Sequence, residues 1–137
     1  MNMKMKITAI VFVMTLILSG TIESFAGTLT GMGEKLVKST SILVASVNKT
    51  TADNYSYLTL GDVSIYDSIN ATTYSKQANG EYVQSNPWTI CYEYTRTYMG
   101  QYVSLVANVG QGIRLYAKRA STATTSHTAD FASWEYH

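Results

Sequence analysis

The sequence predicts an all-β fold: an antiparallel β-sandwich, Ig-like or jelly-roll, of about seven or eight strands that follows a cleaved signal peptide. Three observations support this prediction. The 137 residues include eleven tyrosines and one proline, with many threonines, serines and valines, and such a composition suits half-buried pleated strands. Apolar and polar residues alternate in several short segments. Turn-forming residues separate these segments at intervals typical of sandwiches and barrels.

The first 26 residues carry the pattern of a secretory signal peptide. Lys4 and Lys6 precede an apolar stretch at residues 7–18, and Ser24 and Ala26 place small residues at the two positions that a signal peptidase recognises. The apolar stretch is shorter than the roughly 20 residues that a membrane-spanning helix needs. We therefore expect cleavage after Ala26, an extracellular protein, and no membrane span in the mature form.

Residues 27–137 are expected to form a single β-sandwich domain, because their number matches one domain. Cys91 is the only cysteine, so an intrachain disulfide is excluded, while a free thiol and an intermolecular disulfide both stay open. The basic and acidic residues of this part are equal in number. A nucleic-acid-binding domain normally has a basic stripe and a high pI, so we expect no nucleic-acid partner.

The first half of the domain contains one ambiguous segment and several predicted strands. Residues 32–47 fit either a helical stripe or a buried strand at residues 41–47, and we favour a short helix or an irregular entry into a first strand. Asn-Gly supplies the positive φ angles of a tight hairpin. The strands expected next flank turns at Gly61-Asp62 and Asn79-Gly80, and they cover residues 56–60, 63–66, 71–76 and 81–84.

The second half shows the clearest alternation. In residues 88–98 the large side chains fall on one face, which we predict to be the buried face, while Cys91 and Glu93 fall on the other. Residues 120–129 are uniformly polar and are expected to form a loop. The remaining strands are expected at residues 102–108, 113–118 and 131–136, with Trp134 in the core of the last one.

Residue types used in catalysis occur here without a catalytic motif. Cys91, His127 and Asp130 would form a nucleophile set only if the thiolate and the imidazole were adjacent, and the sequence shows no such proximity. The ligand spacing of zinc sites is missing. Asp62 and Asp67 lie at strand ends, where aspartate is ordinary turn chemistry. We therefore expect that the protein is not an enzyme and that it binds neither a metal ion nor a cofactor.

The candidate binding residues are Tyr92, Tyr94, Tyr98 and Trp134. A domain of this size cannot bury all its tyrosines, and Tyr and Trp offer a flat apolar face with a polar tip that suits sugar rings, peptides and proteins. The sequence therefore predicts a secreted, non-catalytic domain that binds a cell surface, a glycan or a protein partner. The alternative is a secreted bacteriocin or toxin, which the size, the export signal and the aromatic C-terminal segment also fit.

Overall fold

A computed structural model describes residues 24–25, 27–50, 55–101 and 110–137. Within these ranges the secondary structure is all β, every strand pair is antiparallel and no helix occurs, which confirms the prediction of an all-β, antiparallel fold. The same residues accordingly offer no helix long and apolar enough to cross a membrane. The predicted signal peptide lies outside the described residues except for Ser24 and Phe25, which form a short strand.

The strands of the described residues form two sheets of five strands each, ten in all, which is more than the seven or eight that the sequence predicts. Sheet A has the spatial order β1 (Ser24–Phe25), β2 (Thr28–Val37), β10 (His127–Tyr136), β4 (Tyr55–Val63) and β8 (Arg96–Gln101). Sheet B has the order β3 (Ile42–Asn48), β9 (Gly112–Arg119) and β5 (Ser68–Lys76), after which β6 (Tyr82–Gln84) and β7 (Thr89–Tyr92) each pair with part of β5.

Both sheets contribute to one hydrophobic core. Trp134 and Phe131 from β10 and Leu58 from β4 are fully buried, as are Ile113 and Leu115 from β9. The indole Nε1 of Trp134 donates a 2.8 Å hydrogen bond to Ser56 Oγ, so burial leaves this polar group satisfied. The prediction of Trp134 as a core residue is therefore confirmed.

The helix or irregular entry favoured for residues 32–47 is wrong. This segment contains most of β2 and β3, joined by a short connection. Met32 and Val37 face the core, whereas Leu36 and Leu43, which would have joined them in a helical stripe, are about half exposed. Leu36 alternates with its buried neighbour Val37, and Leu43 alternates with its half-buried neighbours in β3. Met32 still faces the core because the register of β2 against β10 shifts near it, opposite residues 131–133, which changes the face on which its side chain lies.

The turn predicted at Gly61-Asp62 is also wrong, because β4 runs through it to Val63 and the chain bends at residues 64–67 instead. Gly61 serves a different purpose here. The Asp130 carboxylate of the neighbouring strand lies over it so closely that a Cβ atom would overlap the side chain. The Asn79-Gly80 hairpin is confirmed, with Gly80 at φ +88° between β5 and β6.

The alternation in residues 88–98 is real, but its faces are reversed. Cys91 is fully buried opposite Ile69, while Ile90 and Tyr92 point outward. The predicted single strand is also divided, because the chain turns at Glu93 and Tyr94 and continues as β8 in the other sheet. A small thiol fits the interior between the sheets better than the large side chains do.

The last predicted segments have mixed outcomes. Residues 102–108 lie outside the described residues. The strand at residues 113–118 is confirmed as β9, and the strand at residues 131–136 belongs to the longer β10. The loop predicted at residues 120–129 ends earlier than expected, because β10 begins at His127, whose side chain is buried.

Candidate binding surface

Three tyrosines and three polar residues form a continuous patch on the outer face of sheet A. The backbone register places Glu135 of β10, Tyr57 of β4 and Tyr98 of β8 side by side across three neighbouring strands. Side chains two residues apart in a strand share a face, so Tyr55, Arg96 and His137 join the same patch. We call this patch the tyrosine surface: Tyr55, Tyr57, Arg96, Tyr98, Glu135 and His137.

The rings of the tyrosine surface contact one another. The Tyr57 and Tyr98 ring centroids are 5.2 Å apart, and the Tyr55 ring meets Tyr57 edge-on at 5.8 Å. His137 stacks on Tyr55 with centroids 4.6 Å apart. Such ring pairs favour these offset and edge-to-face geometries. The contacts hold the rings in place while Tyr98 keeps 48% of its surface exposed.

An ion pair covers one ring of this surface. Arg96 Nε and Nη2 donate to the two carboxylate oxygens of Glu135, both at 2.7 Å, and the guanidinium carbon lies 3.5 Å from the Tyr57 ring centroid. The hydrogen bonds from Arg96 lower the pKa of Glu135, and those to Glu135 raise the pKa of Arg96. The result is a planar, electrically neutral array of donors and acceptors beside an exposed aromatic ring.

An acidic groove lies at the β4–β5 bend. It is a shallow depression, open to solvent, with a volume of about 730 Å³, and it is lined by Asp62, Val63, Ser64, Ile65, Tyr66, Asp67 and Glu93. Glu93 accepts a 3.2 Å hydrogen bond from the Val63 N–H, and the Tyr94 hydroxyl donates to Asp62 at 3.1 Å. The hydrogen bond with Asp62 is the main reason that the pKa of Tyr94 is raised. Ile65 and Tyr94 both have positive φ, an unfavourable conformation for these residues.

Tyr66 connects this groove to the loop between β9 and β10. Its hydroxyl oxygen accepts hydrogen bonds from the Thr124 N–H at 3.1 Å and the Thr125 N–H at 3.4 Å. The hydroxyls of both threonines lie 3.2 Å from the same oxygen. These partners, with the Thr124 hydroxyl as the largest contributor, lower the pKa of Tyr66 to about 8. The Tyr66 ring also packs on His127 at 4.6 Å, which ties the loop to the core.

The four binding residues predicted from the sequence do not form one surface. Tyr98 belongs to the tyrosine surface, whereas Tyr94 lies beside the acidic groove. Tyr92 is 50% exposed on sheet B, opposite Ser68. Trp134 is fully buried, so its ring offers nothing to a partner. The predicted set is thus distributed over both sheets, a bend and the core.

Sequence reasoning missed the residues that surround Tyr98. Arg96, Glu135 and His137 were not among the candidates, and Tyr55 and Tyr57 were not separated from the other tyrosines. A local signal does exist, because each of the three strands contributes a pair at i and i+2, which share a face. What the sequence cannot supply is the order β10-β4-β8, which brings the three pairs together.

The residues considered for catalysis are held apart. Cys91 lies on β7 of sheet B, and burial raises the pKa of its thiol to about 12, the reverse of what a nucleophilic thiolate needs. His127 begins β10 of sheet A, and no described hydrogen bond joins it to Cys91. Asp130 lies over Gly61. Within the described ranges, no group of three or more His, Cys, Asp or Glu residues is arranged to hold a metal ion.

No protein family model, no curated protein and no solved structure matches this chain.

Proposed function

We propose that this chain is a secreted, non-catalytic domain that binds a cell-surface glycan through the tyrosine surface. The observation that carries the proposal is the Arg96–Glu135 pair, which lies flat on Tyr57 beside the exposed ring of Tyr98. An apolar ring face and a set of donors and acceptors therefore lie side by side on one rigid sheet.

This combination suits a sugar ring better than a charged ligand. A pyranose has a flat patch of C–H groups that packs on an aromatic face, and hydroxyls that both donate and accept hydrogen bonds. Arg96 keeps N–H groups that do not donate to Glu135, and each Glu135 oxygen can accept a second hydrogen bond, so the pair can still meet adjacent sugar hydroxyls. Because the pair is neutral as a whole, it attracts no particular charge, so the ligand that fits best is an uncharged glycan.

We also propose where the chain is located, how its sheets pack and that it has no catalytic role. Residues 1–26 act as a cleaved signal peptide, supported by their basic, apolar and small-residue pattern. The two sheets pack as a β-sandwich of the Ig-like or jelly-roll type, supported by the core that they share. The non-catalytic role is supported by the buried, high-pKa thiol of Cys91 and by the separation of Cys91 from His127.

The test compares retention of the purified protein on cell walls stripped of anionic polymers with that of two variants. Tyr98→Ser removes the exposed ring of the tyrosine surface. Tyr92→Ser is the matched control, because it removes an equally exposed ring from sheet B. We expect saturable retention that Tyr98→Ser lowers about two- to twelvefold and Tyr92→Ser leaves unchanged, since stacking contacts are worth about 0.5 to 1.5 kcal/mol.

Equal retention of both variants would refute the assignment to the tyrosine surface. Absence of retention by the unmodified protein would refute the binding function itself. Far-UV circular dichroism of each variant shows whether the sheets remain folded, so that loss of retention is not confused with loss of structure.

A further inference from the structure

The outer face of sheet B carries positive charge. Arg114 and Lys118 alternate along β9 with the buried Ile113, Leu115 and Ala117, so both cations point away from the core. Tyr74 of β5 lies opposite Arg114, and Lys76, two residues further, lies opposite Tyr82 of β6. We call this patch the basic face: Tyr74, Lys76, Tyr82, Trp88, Arg114, Tyr116 and Lys118.

Aromatic rings hold two of the cations in position. The guanidinium carbon of Arg114 lies 3.8 Å from the Tyr82 ring centroid, and Lys118 Nζ lies 4.2 Å from the Trp88 ring centroid. Tyr82 itself is packed closely, because its hydroxyl lies where a side chain on Gly112 would be. A cation already ordered by a ring loses little further side-chain entropy when it binds an anion.

None of these cations has a carboxylate partner among the described residues. The ion pairs found there, Arg96–Glu135 and His137–Glu135, both belong to sheet A. Arg114 Nε is buried and has no hydrogen-bond acceptor in the described part of the chain. The described outward-facing residues of β9, β5 and β6 include no acid. Positive charge on the basic face is therefore not neutralised locally.

We propose that the basic face binds an anionic carbohydrate polymer, made of sugar or polyol units that carry phosphate or carboxylate groups. Arg114 and Lys118 are four residues apart in one strand, which separates their Cα atoms by about 13 Å. A single small anion cannot span that distance, whereas a polymer with charges on successive units can reach both cations and Lys76.

The geometry favours such a polymer over a nucleic acid. Single-stranded nucleic acids are held largely by bases stacked on exposed aromatic faces. On the basic face, Arg114 and Lys118 cover faces of Tyr82 and Trp88. Recognition by charge on a flexible polyol or sugar chain needs no ring face.

The test measures retention of the full-length secreted protein on immobilised poly(glycerol phosphate) and on immobilised polygalacturonate. The first matrix supplies phosphates and the second supplies carboxylates, so the two identify the anion. Neutral dextran and single-stranded DNA serve as comparison matrices. We expect retention on at least one anionic carbohydrate, none on dextran, and a clear decrease between 50 mM and 500 mM salt as screening increases.

Two double variants locate the site. Lys76→Gln with Lys118→Gln removes two charges from the basic face, and Lys35→Gln with Lys38→Gln removes two from β2 and the residue after it. Each pair combines one exposed and one half-buried lysine, so the net charge and the burial change equally. We expect the first pair to weaken retention about 30-fold, as for two lysines beside an anionic surface, and the second to change it less than about threefold.

Equal losses in the two double variants would overturn the proposal, because net charge alone would then explain the binding. Stronger retention on single-stranded DNA than on either anionic carbohydrate would overturn the ligand class. A negative result in this test would not bear on glycan binding by the tyrosine surface, since none of these substitutions changes a residue of that surface.

Discussion

The outer faces of the two sheets use similar side chains in opposite ways. On sheet A, Arg96 lies on Tyr57 and is neutralised by Glu135 through two hydrogen bonds. On sheet B, Arg114 lies on Tyr82 and has no described carboxylate partner. Both faces rest on the same core, yet one presents a neutral polar array beside an exposed ring and the other presents free positive charge.

This difference shows that the net charge of a small β domain does not predict how its charges are distributed over its surface. The charges of residues 27–137 balance, and that balance argued against a nucleic-acid partner. In the folded chain, Glu34 and Asp130 lie opposite each other on adjacent strands of sheet A. Asp62, Asp67 and Glu93 line the acidic groove. The cations of the basic face lie on sheet B, so the two signs are separated in space.

The largest expected effect concerns the core beneath both faces. Trp134→Ala removes a fully buried indole together with its hydrogen bond to Ser56, and we expect it to lower the free energy of unfolding by about 3–5 kcal/mol. Trp88→Ala is the matched control, because Trp88 is half-buried on the basic face. Urea unfolding followed by far-UV circular dichroism measures both. A loss at Trp134 no larger than the loss at Trp88 would contradict the shared core.

A smaller effect of opposite sign is expected at the bend that joins the two sheets. Ile65 has φ +69° and is 79% exposed, so its side chain gains little from burial while its backbone is strained. Ile65→Gly should raise the free energy of unfolding by about 1 kcal/mol. Ile90→Gly, at an exposed strand position, should lower it instead. Differential scanning calorimetry of both variants checks the signs, and destabilisation by Ile65→Gly would contradict the strained backbone.

The smallest expected effect on stability concerns the ion pair that distinguishes Arg96 from Arg114. Glu135→Gln leaves Arg96 without its carboxylate partner, which makes it resemble Arg114, for which the described residues supply none. Because Arg96 holds the pKa of Glu135 below its usual value of 4.5, ionised Glu135 stabilises the folded state above that pH, and the contribution is lost as the pH falls through the lowered pKa. We therefore expect the variant to be slightly less stable than the parent at pH 7, and the difference to shrink as the pH falls below 4.5. The effect is small because Arg96 is exposed.

Unfolding midpoints between pH 7 and pH 2 measure this difference. Glu81→Gln, in the β5–β6 hairpin, is the control, since Glu81 has no described ion pair. A pH-independent difference between Glu135→Gln and the parent would show that the Arg96–Glu135 pair contributes nothing through its charge.

The fold class could be predicted from the sequence because strand patterns and turns are local. The Asn79-Gly80 hairpin, the alternation of β9 and the burial of Trp134 all follow from neighbouring residues. The reversed face of β7 could not be predicted in this way, because a period of two is the same whichever side is buried. Only the packing between the sheets decides that Cys91, rather than Ile90 and Tyr92, faces inward.

The candidate site was less predictable for a similar reason. Tyr98 was identified by its residue type, but its neighbours come from β4 and β10, which are distant in sequence. Neither the Arg96–Glu135 pair nor the lack of a carboxylate beside Arg114 in the described part of the chain has a local signature in the sequence. Both depend on which strands are adjacent, and strand order is set by long-range contacts rather than by patterns within a strand.

The most direct test of the division between the two faces is a retention experiment with three proteins and two matrices. The parent, Tyr98→Ser and the Lys76→Gln/Lys118→Gln variant are each applied to cell walls stripped of anionic polymers and to immobilised poly(glycerol phosphate). Our account predicts that Tyr98→Ser loses retention on the stripped walls alone, and that the lysine variant loses it on the phosphate polymer alone. Loss of both ligands by either variant, while it remains folded, would contradict the account.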